Sequence, residues 1–436
     1  MKILKFGGTS LGNVDRIREV ANLVNSSEKK VVVLSAMSGT TNNLVKIAEY
    51  LYEKNATAAM SLILSLEENY LKVVNDLFST ESFKVKGEEL IKSHINCIKS
   101  FTKDVFTLFE EKTILAQGEL LSTALFHYYL SENNIKSVLI PALSFMRTDK
   151  DGEPDVFYIK ENLNREINSY PKDTLFITQG FISRNTFGEI DNLKRGGSDY
   201  TASLVGVALK AAEIQIWTDI DGMHNNDPRI IENTKSLTNI SFEEAAELAY
   251  FGAKILHPAS IHPAKLANIP VRLKNTMQPE AYGTLITSET NEKGIKAIAA
   301  KDGIIAIKIN SGRMLLAHGF MRKVFEIFEI YKTPIDMITT SEVAVSITID
   351  DSKHLDDIVE ELKKYGTVEV ETNRSIICVV GDFIAESKGY AVTIFKALEN
   401  VPIRMISYGG SRHNVSILVD SKHKKEALLN LNTTLF

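Results

Sequence analysis

Apolar residues fall into two alternating rhythms along the chain. Short apolar runs at Ile3, Leu4 and Phe6, at Lys30 to Ala36, at Thr174 to Thr178 and at Ile214 to Thr218 read as buried strands. Between them, apolar positions recur at helical spacing, first at Val14, Ile17, Val20, Ala21 and Val24. Strand, helix and strand in succession predict a parallel α/β sheet. From Asn43 to about Leu130 there is no proline and very little glycine, which predicts a run of helices inserted between sheet strands. A further strand is expected at Ser137 to Ala142, and helices at Ala202 to Ala212 and Phe242 to Phe251.

The rhythm changes after residues 275–303, where Pro279, Gly283, Gly294 and Gly303 with mixed charges read as a domain boundary. This places a first domain at 1–290 and a second at 291–436. The second contains a repeat: Pro334 to Thr339 matches Pro402 to Ser407, and Val345-Ser346-Ile347 with Asp350 matches Val415-Ser416-Ile417 with Asp420. With added strands at Ile304 to Asn310 and Ile376 to Val380, each copy has the split βαβ pattern of a ferredoxin-like module.

Composition narrows the function. With 436 residues, 44% hydrophobic and 24% charged, the chain is long enough for two or three ordinary globular domains. A net charge of −5 without a basic patch argues against nucleic acid. The two cysteines, Cys97 and Cys378, have no metal-ligand spacing and read as buried thiols in a reducing compartment. No stretch approaches a membrane span and the apolar start is too short for a signal peptide, so a cytoplasmic location is expected.

Candidate chemistry gathers at strand ends. Lys5 precedes Gly7-Gly8, and a second pair, Gly196-Gly197, stands in Lys194-Arg195-Gly196-Gly197-Ser198-Asp199-Tyr200-Thr201 before an apolar helix. Such glycines allow backbone N–H groups to approach an anion, although a glycine pair after a strand also serves as a plain turn. Ser38 to Asn42 should face the same crevice, because ligands of open parallel sheets bind beyond the carboxyl ends of strands. By periodicity alone Glu119, in Gln117-Gly118-Glu119-Leu120, reads as a solvated helix residue. Lys254 is either snorkelling or held for an anion. The loop Ile220 to Pro228 reads as a long irregular connection of the functional kind. Small-residue loops, two lysines and an arginine suit phosphoryl transfer, while the P-loop, protein-kinase, dinucleotide and zinc-hydrolase signatures are missing.

Taken together, KFGGTS, VVVLSAMSGTTN, QGEL, QGF, RGGSDYTA, WTDIDG with DPR, and GAKILHP occur in the order seen in aspartate kinases of the amino-acid kinase family, and the resemblance covers essentially the whole chain. The repeat resembles paired ACT modules, and SEVAVSITID after DMITT is similar to the lysine-sensitive, monofunctional class.

The resemblance implies an α/β fold with a mainly parallel sheet sandwiched by helices, followed by two ferredoxin-like (βαββαβ) ACT modules. It implies transfer of phosphoryl from ATP to the side-chain carboxylate of L-aspartate, the first step toward lysine, threonine and methionine, with magnesium on the phosphates and no protein metal cage. By the same resemblance Lys5, Gly8 and Asp199 are catalytic; Thr41, Glu119, Arg195 and Ser198 bind aspartate; and Lys5, Gly7, Gly8, Thr218, Asp219, His224, Arg229 and Lys254 bind ATP. Met314, Gly319, Phe320, Met321, Asp336, Ser341 and Glu342 would form an effector pocket, for lysine or for threonine. Read without the family, Asp336 and Glu342 are two solvated turn carboxylates. ACT pockets form where chains meet, so a homodimer or dimer of dimers is expected. His224 departs from the tyrosine common in the family, and Ser183 from a glycine. The rival readings are a kinase for another small acid and a non-catalytic amino-acid sensor.

Overall fold

The computed structural model describes residues 1–103, 105–193, 196–252, 256–290, 293–312, 318–382 and 386–436. In chain order the first elements are β1 (Lys2–Phe6), α1 (Val14–Val24), β2 (Lys30–Leu34), α2 (Thr40–Tyr52), α3 (Ala56–Leu77), α4 (Glu81–Ser100), α5 (Leu108–Glu132), β3 (Val138–Leu139) and α6 (Ala142–Phe145). Next come α7 (Val156–Asn168), β4 (Leu175–Gln179), β5 (Ile182–Arg184), β6 (Ile190–Asn192), α8 (Gly197–Ala208), β7 (Glu213–Thr218), β8 (Asn239–Ser241), α9 (Phe242–Tyr250), α10 (Pro258–Leu266), β9 (Val271–Asn275) and β10 (Thr284–Thr287). The remainder is β11 (Gly294–Asn310), α11 (Phe320–Ile330), β12 (Ile338–Thr340), β13 (Ala344–Ile349), α12 (Leu355–Lys363), β14 (Thr367–Asp382), α13 (Tyr390–Ala397), β15 (Ile403–Tyr408), β16 (Asn414–Asp420) and α14 (Lys424–Leu435).

These elements form two compact units: residues 1–223, 238–240 and 255–288 in the first, and 224–237, 241–254 and 289–436 in the second. The first is built on an eight-stranded sheet of order β3-β4-β2-β1-β7-β9-β10-β8. β1 pairs in parallel with β2 and β7, β2 with β4, and β7 with β9, as the buried valine and isoleucine runs require. Phe6, Leu34, Ile177 and Trp217 share one core with Ile47, Ile63, Leu121 and Phe126 of the helical run. The expected strand at Ser137 to Ala142 shortens to two residues, because Pro141 lacks an N–H for the ladder.

In the second unit the six-stranded order β12-β13-β11-β14-β16-β15 resolves into two four-stranded halves. β11 and β14 pair along most of their lengths, with register shifts near residues 301–306. β13 adds to residues 305–310 of β11, and β16 to residues 374–380 of β14. The first half is continuous: the later part of β11, α11, β12, β13, α12 and the start of β14. The second takes β14, α13, β15, β16 and α14, and completes its sheet with residues 294–301 of β11. One module is thus nested inside the other. Each half has its own core, Ile307, Val324, Ile347 and Ile358 in one and Ile377, Ile394, Ile417 and Leu428 in the other. The glycines and proline that read as a linker at 275–303 therefore punctuate β10 and the first half of β11.

Candidate active site and effector pocket

Register alone aligns the chemistry of the first unit. Phe6 lies beside Leu34 and Trp217, and Leu34 beside Gln179, so the glycines after β1, Ser35 after β2 and Gly180 after β4 leave the sheet along one edge. At that edge Lys5 Nζ stands 2.6 Å from Asp199 Oδ1, both side chains largely buried. Asp199 is in the first turn of α8, which begins at Gly197 rather than at Ala202. Gly196 there has φ +65, a conformation glycine adopts without strain. Ser198, next along the helix, accepts a hydrogen bond from Ser35 Oγ at 2.8 Å. A methyl group on Gly180 would lie 2.3 Å from Ser198 Cβ, so only a glycine lets β4 and α8 meet this closely.

Glu119 is 4% exposed. The reading as a solvated helix residue fails because α5 is buried on almost every face, and Gly118 lets the Ala36–Thr40 turn press against it. Burial pushes the Glu119 carboxyl up to about 7, against the opposing pull of a bond to the Ala36 N–H and the charge of Lys5. Its Oε2 has no partner among the described residues. Thr41 is exposed in the first turn of α2, while its neighbour Thr40 is buried and joined to the Tyr70 hydroxyl at 2.9 Å.

One detail departs from expectation. The Gly7 N–H is committed to the Trp217 carbonyl at 3.2 Å, extending the β1–β7 ladder, so Gly8 is the glycine of this pair left to face an anion. A 3₁₀ turn, Thr9–Leu11, follows instead of a helix, and α1 starts only at Val14 on an Asn13 cap.

The residues assigned to ATP by resemblance divide between the units. Thr218 ends β7, its hydroxyl 3.1 Å from Asp219 Oδ1, in the first unit. His224, bonded through Nδ1 to Thr234 at 2.8 Å, and Arg229 belong to the second. The Arg229 guanidinium is taken up by Asp227 at 2.7 Å, and the side chain is otherwise exposed. Arg195, Lys254 and Met314 lie outside the described residues.

In the second unit Asp336 precedes β12 with its side chain only 1% exposed. Its Oδ1 is 2.7 Å from Lys301 Nζ and accepts from the Tyr250 hydroxyl at 2.8 Å. Lys301 also reaches Asp350 at 2.8 Å. Burial works against the Lys301 charge, and its bonds to the two aspartates more than offset that, raising its pKa. Asp336 Oδ2 has no partner among the described residues. The reading of Asp336 as a solvated turn residue is therefore wrong, whereas Ser341 and Glu342 are exposed between β12 and β13. Gly319, with φ +82, caps α11, and Phe320 and Met321 face the core of the first half.

Sequence reasoning did not single out two residues that pack on α8 at this edge: Ser35 and Phe181. Ser35 carried a signal, a small polar residue at the end of a buried run. Phe181 carried none, since only the backbone reveals its φ of +67, where bulky residues are rare; its N–H is held by Thr201 at 2.9 Å.

A lysine held on a carboxylate among glycine-rich strand ends, with a nested pair of ferredoxin-like modules on the same chain, defines a small-molecule phosphotransferase under ligand control. Residues 1–275 match the amino acid kinase family, and residues 377–435 an ACT domain. Over its whole length the chain is 33% identical to lysine-sensitive aspartokinase 3 of Escherichia coli, covering 99% of that protein, and 34% identical to chloroplastic aspartokinase 2 of Arabidopsis thaliana, covering 84% of it. Its fold matches E. coli aspartokinase III in complex with aspartate and ADP at a TM-score of 0.82 and 32% identity, with both chains covered completely. It matches the same enzyme in complex with lysine and aspartate at 0.83, covering all of this chain and 99% of that one. The chain belongs to the amino acid kinase family, in its aspartokinase branch.

Proposed function

We infer that this chain is an aspartate kinase, transferring the γ-phosphoryl group of ATP to the side-chain carboxylate of L-aspartate under control of an amino acid bound at the ACT modules. The observation that carries this reading is the Lys5–Asp199 pair at 2.6 Å, set at the strand-end edge with the charge of Lys5 reaching the buried Glu119.

The acceptor is ionised at neutral pH, so no base is needed. One carboxylate oxygen attacks the γ-phosphorus, the bond to the bridging oxygen breaks, ADP leaves and no proton moves. The obstacle is repulsion between two anions, and preorganised positive charge is what lowers it. Lys5, oriented by Asp199, would meet the equatorial oxygens of the moving group, with the Gly8 N–H beside it. Glu119 would face the substrate ammonium, whose arrival favours the ionised carboxylate. Arg195 would pair with the α-carboxylate, with Ser198 and Thr41 alongside. Thr218, Asp219, His224, Arg229 and Lys254 make up the nucleotide side of this reading.

Magnesium, when bound with the nucleotide, would supply charge neutralisation at the phosphates. Asp199 is committed to Lys5 and Glu119 is buried, so exposed Asp219 fits as a donor. The effector is lysine in this reading. Asp336 and Asp350 outnumber the single Lys301 charge, so an added ammonium would balance the cluster, and by the family resemblance Glu342 would take the second ammonium of a diamino acid. ACT pairing through a second copy of the chain completes the assembly, read by light scattering as a dimer or a dimer of dimers.

The test is a rate measurement with ATP and aspartate, with and without lysine, and with glutamate, acetylglutamate and carbamate as rival acceptors. Aspartate-dependent ADP release that lysine suppresses is expected. Turnover of another acid without aspartate would overturn the assignment.

A further inference from the structure

The chain leaves β4 through a turn that costs the fold energy. Phe181 has φ +67, and the Ile182 N–H returns to the Gly180 carbonyl at 2.7 Å, which closes a γ-turn in its strained, positive-φ form. Among the described residues, the other non-glycine positions with positive φ are three lysines and three asparagines, so Phe181 is the one aromatic held this way. A turn that served only to lead β4 into β5 would be met without strain by glycine, as Gly188 with φ +84 meets the turn between β5 and β6.

The backbone of Phe181 has nothing left to offer a ligand. Its N–H is bonded to the Thr201 hydroxyl at 2.9 Å, and its carbonyl accepts from the Leu193 N–H at 2.8 Å. Thr201 is fully buried, and its hydroxyl donates in turn to the Gly197 carbonyl in the first turn of α8 at 3.3 Å. What the turn presents is therefore a half-buried ring. That ring lies against the start of α8, where a methyl group on Gly197 would stand 3.4 Å from its Cδ2. The next two residues are Ser198, given above to the acceptor, and Asp199, the partner of Lys5.

We propose that the Phe181 ring determines which acid is accepted, with Thr201 as its positioning residue: Thr201 holds the turn, the turn holds the ring against α8, and the ring limits the length of acid that can stand at Ser198. This rests on the acceptor reading of Ser198. An acid one methylene longer than aspartate would have to displace the ring, and one methylene discriminates by about 10–200-fold in such a contact.

The test measures kcat and KM for aspartate, glutamate and ATP in wild type, Phe181→Gly, Thr201→Val and Thr201→Ser, with thermal unfolding recorded beside them. Phe181→Gly keeps the turn and removes the ring, so the preference for aspartate over glutamate in kcat/KM should narrow at least about tenfold. Thr201→Val keeps the shape and removes the acceptor of the Phe181 N–H. There KM for aspartate should rise about tenfold and the preference should narrow, with KM for ATP within about twofold of wild type, and Thr201→Ser should restore both. A purely structural role would lower the melting temperature and act on both acids alike. An unchanged ratio between the acids in Phe181→Gly would overturn the proposal, and so would equal loss toward both in Thr201→Val. Wild type without aspartate-dependent turnover would instead sink the acceptor reading, and the specificity with it.

Discussion

Each unit contains a lysine held by an aspartate, and the proposed function gives the two pairs opposite senses. Lys5 and Asp199 are 2.6 Å apart, and Lys301 and Asp336 2.7 Å. In the first, the lysine stands at the strand-end edge, where the proposed reading brings an anion, with the aspartate against its ammonium. In the second the aspartate has one oxygen without a partner among the described residues, which the proposed reading gives to an effector ammonium, and the lysine, shared with Asp350, makes its burial tolerable. On the proposed reading the same ion pair would recognise an anion or a cation according to which partner retains unused valence. That is decided by neighbouring elements and is invisible in the pair itself.

The comparison breaks first at Lys5. Lys5→Ala should lower kcat by on the order of 10³-fold with the fold intact if, as proposed, this charge acts on the transferred group. Steady-state kinetics with circular dichroism checks it, and a loss under tenfold would place phosphoryl stabilisation elsewhere.

The buried anchor of α9 comes next. Lys296→Met takes the cation from the Glu244 carboxyl at a site 1% exposed, and should destabilise the second unit by about 3–5 kcal/mol. Urea unfolding measures this. If both partners are replaced by apolar residues together, most of the loss should return.

A third prediction sharpens the electrostatics of the first unit. Glu119→Gln should raise KM for aspartate by about 10–100-fold if, as proposed, this carboxylate faces the substrate ammonium. In the wild type, kcat/KM for aspartate should climb as pH rises through 7, where the free carboxyl ionises, and the variant should lack that limb. The stability signature has the opposite sign. The folded carboxyl holds its proton more tightly than the unfolded one, so its contribution is full below about 4.5 and is lost as pH rises through about 7. Melting curves across that window should flatten in the variant.

The smallest effect is expected at Glu342. It is exposed, where screening leaves a surface charge worth under about 1 kcal/mol, so Glu342→Gln should shift lysine inhibition by only about two- to fivefold. Inhibition curves at low and high salt test this; a shift as large as that of Asp336→Asn would reverse the ranking within the pocket.

Much of the scaffold was legible in the residues. The buried runs became the central strands, because a strand covered on both faces must be apolar throughout, and the proline-free stretch became α2 to α5. The repeat marked two modules, and a chain-order reading could not show that the first is nested in the second, since the pairing of β11 with β14 spans some seventy residues. Glu119 is the sharpest case at the site. Its helix has hardly any apolar stripe because it is enclosed all round, and periodicity reports burial only when one face stays wet. Asp336 misled for a related reason: a carboxylate in a turn is solvated unless another element covers it, and Tyr250 and Lys301 come from α9 and β11.

Local chemistry along the chain determined which segments became strands and helices, where glycines let the backbone turn, and which charged groups were available for phosphoryl transfer and its control. Tertiary structure alone decided which of these groups lost water and which kept an unfilled oxygen. Desolvation is set by atoms from distant positions, so the covalent neighbours of Glu119 or Asp336 carry no record of it.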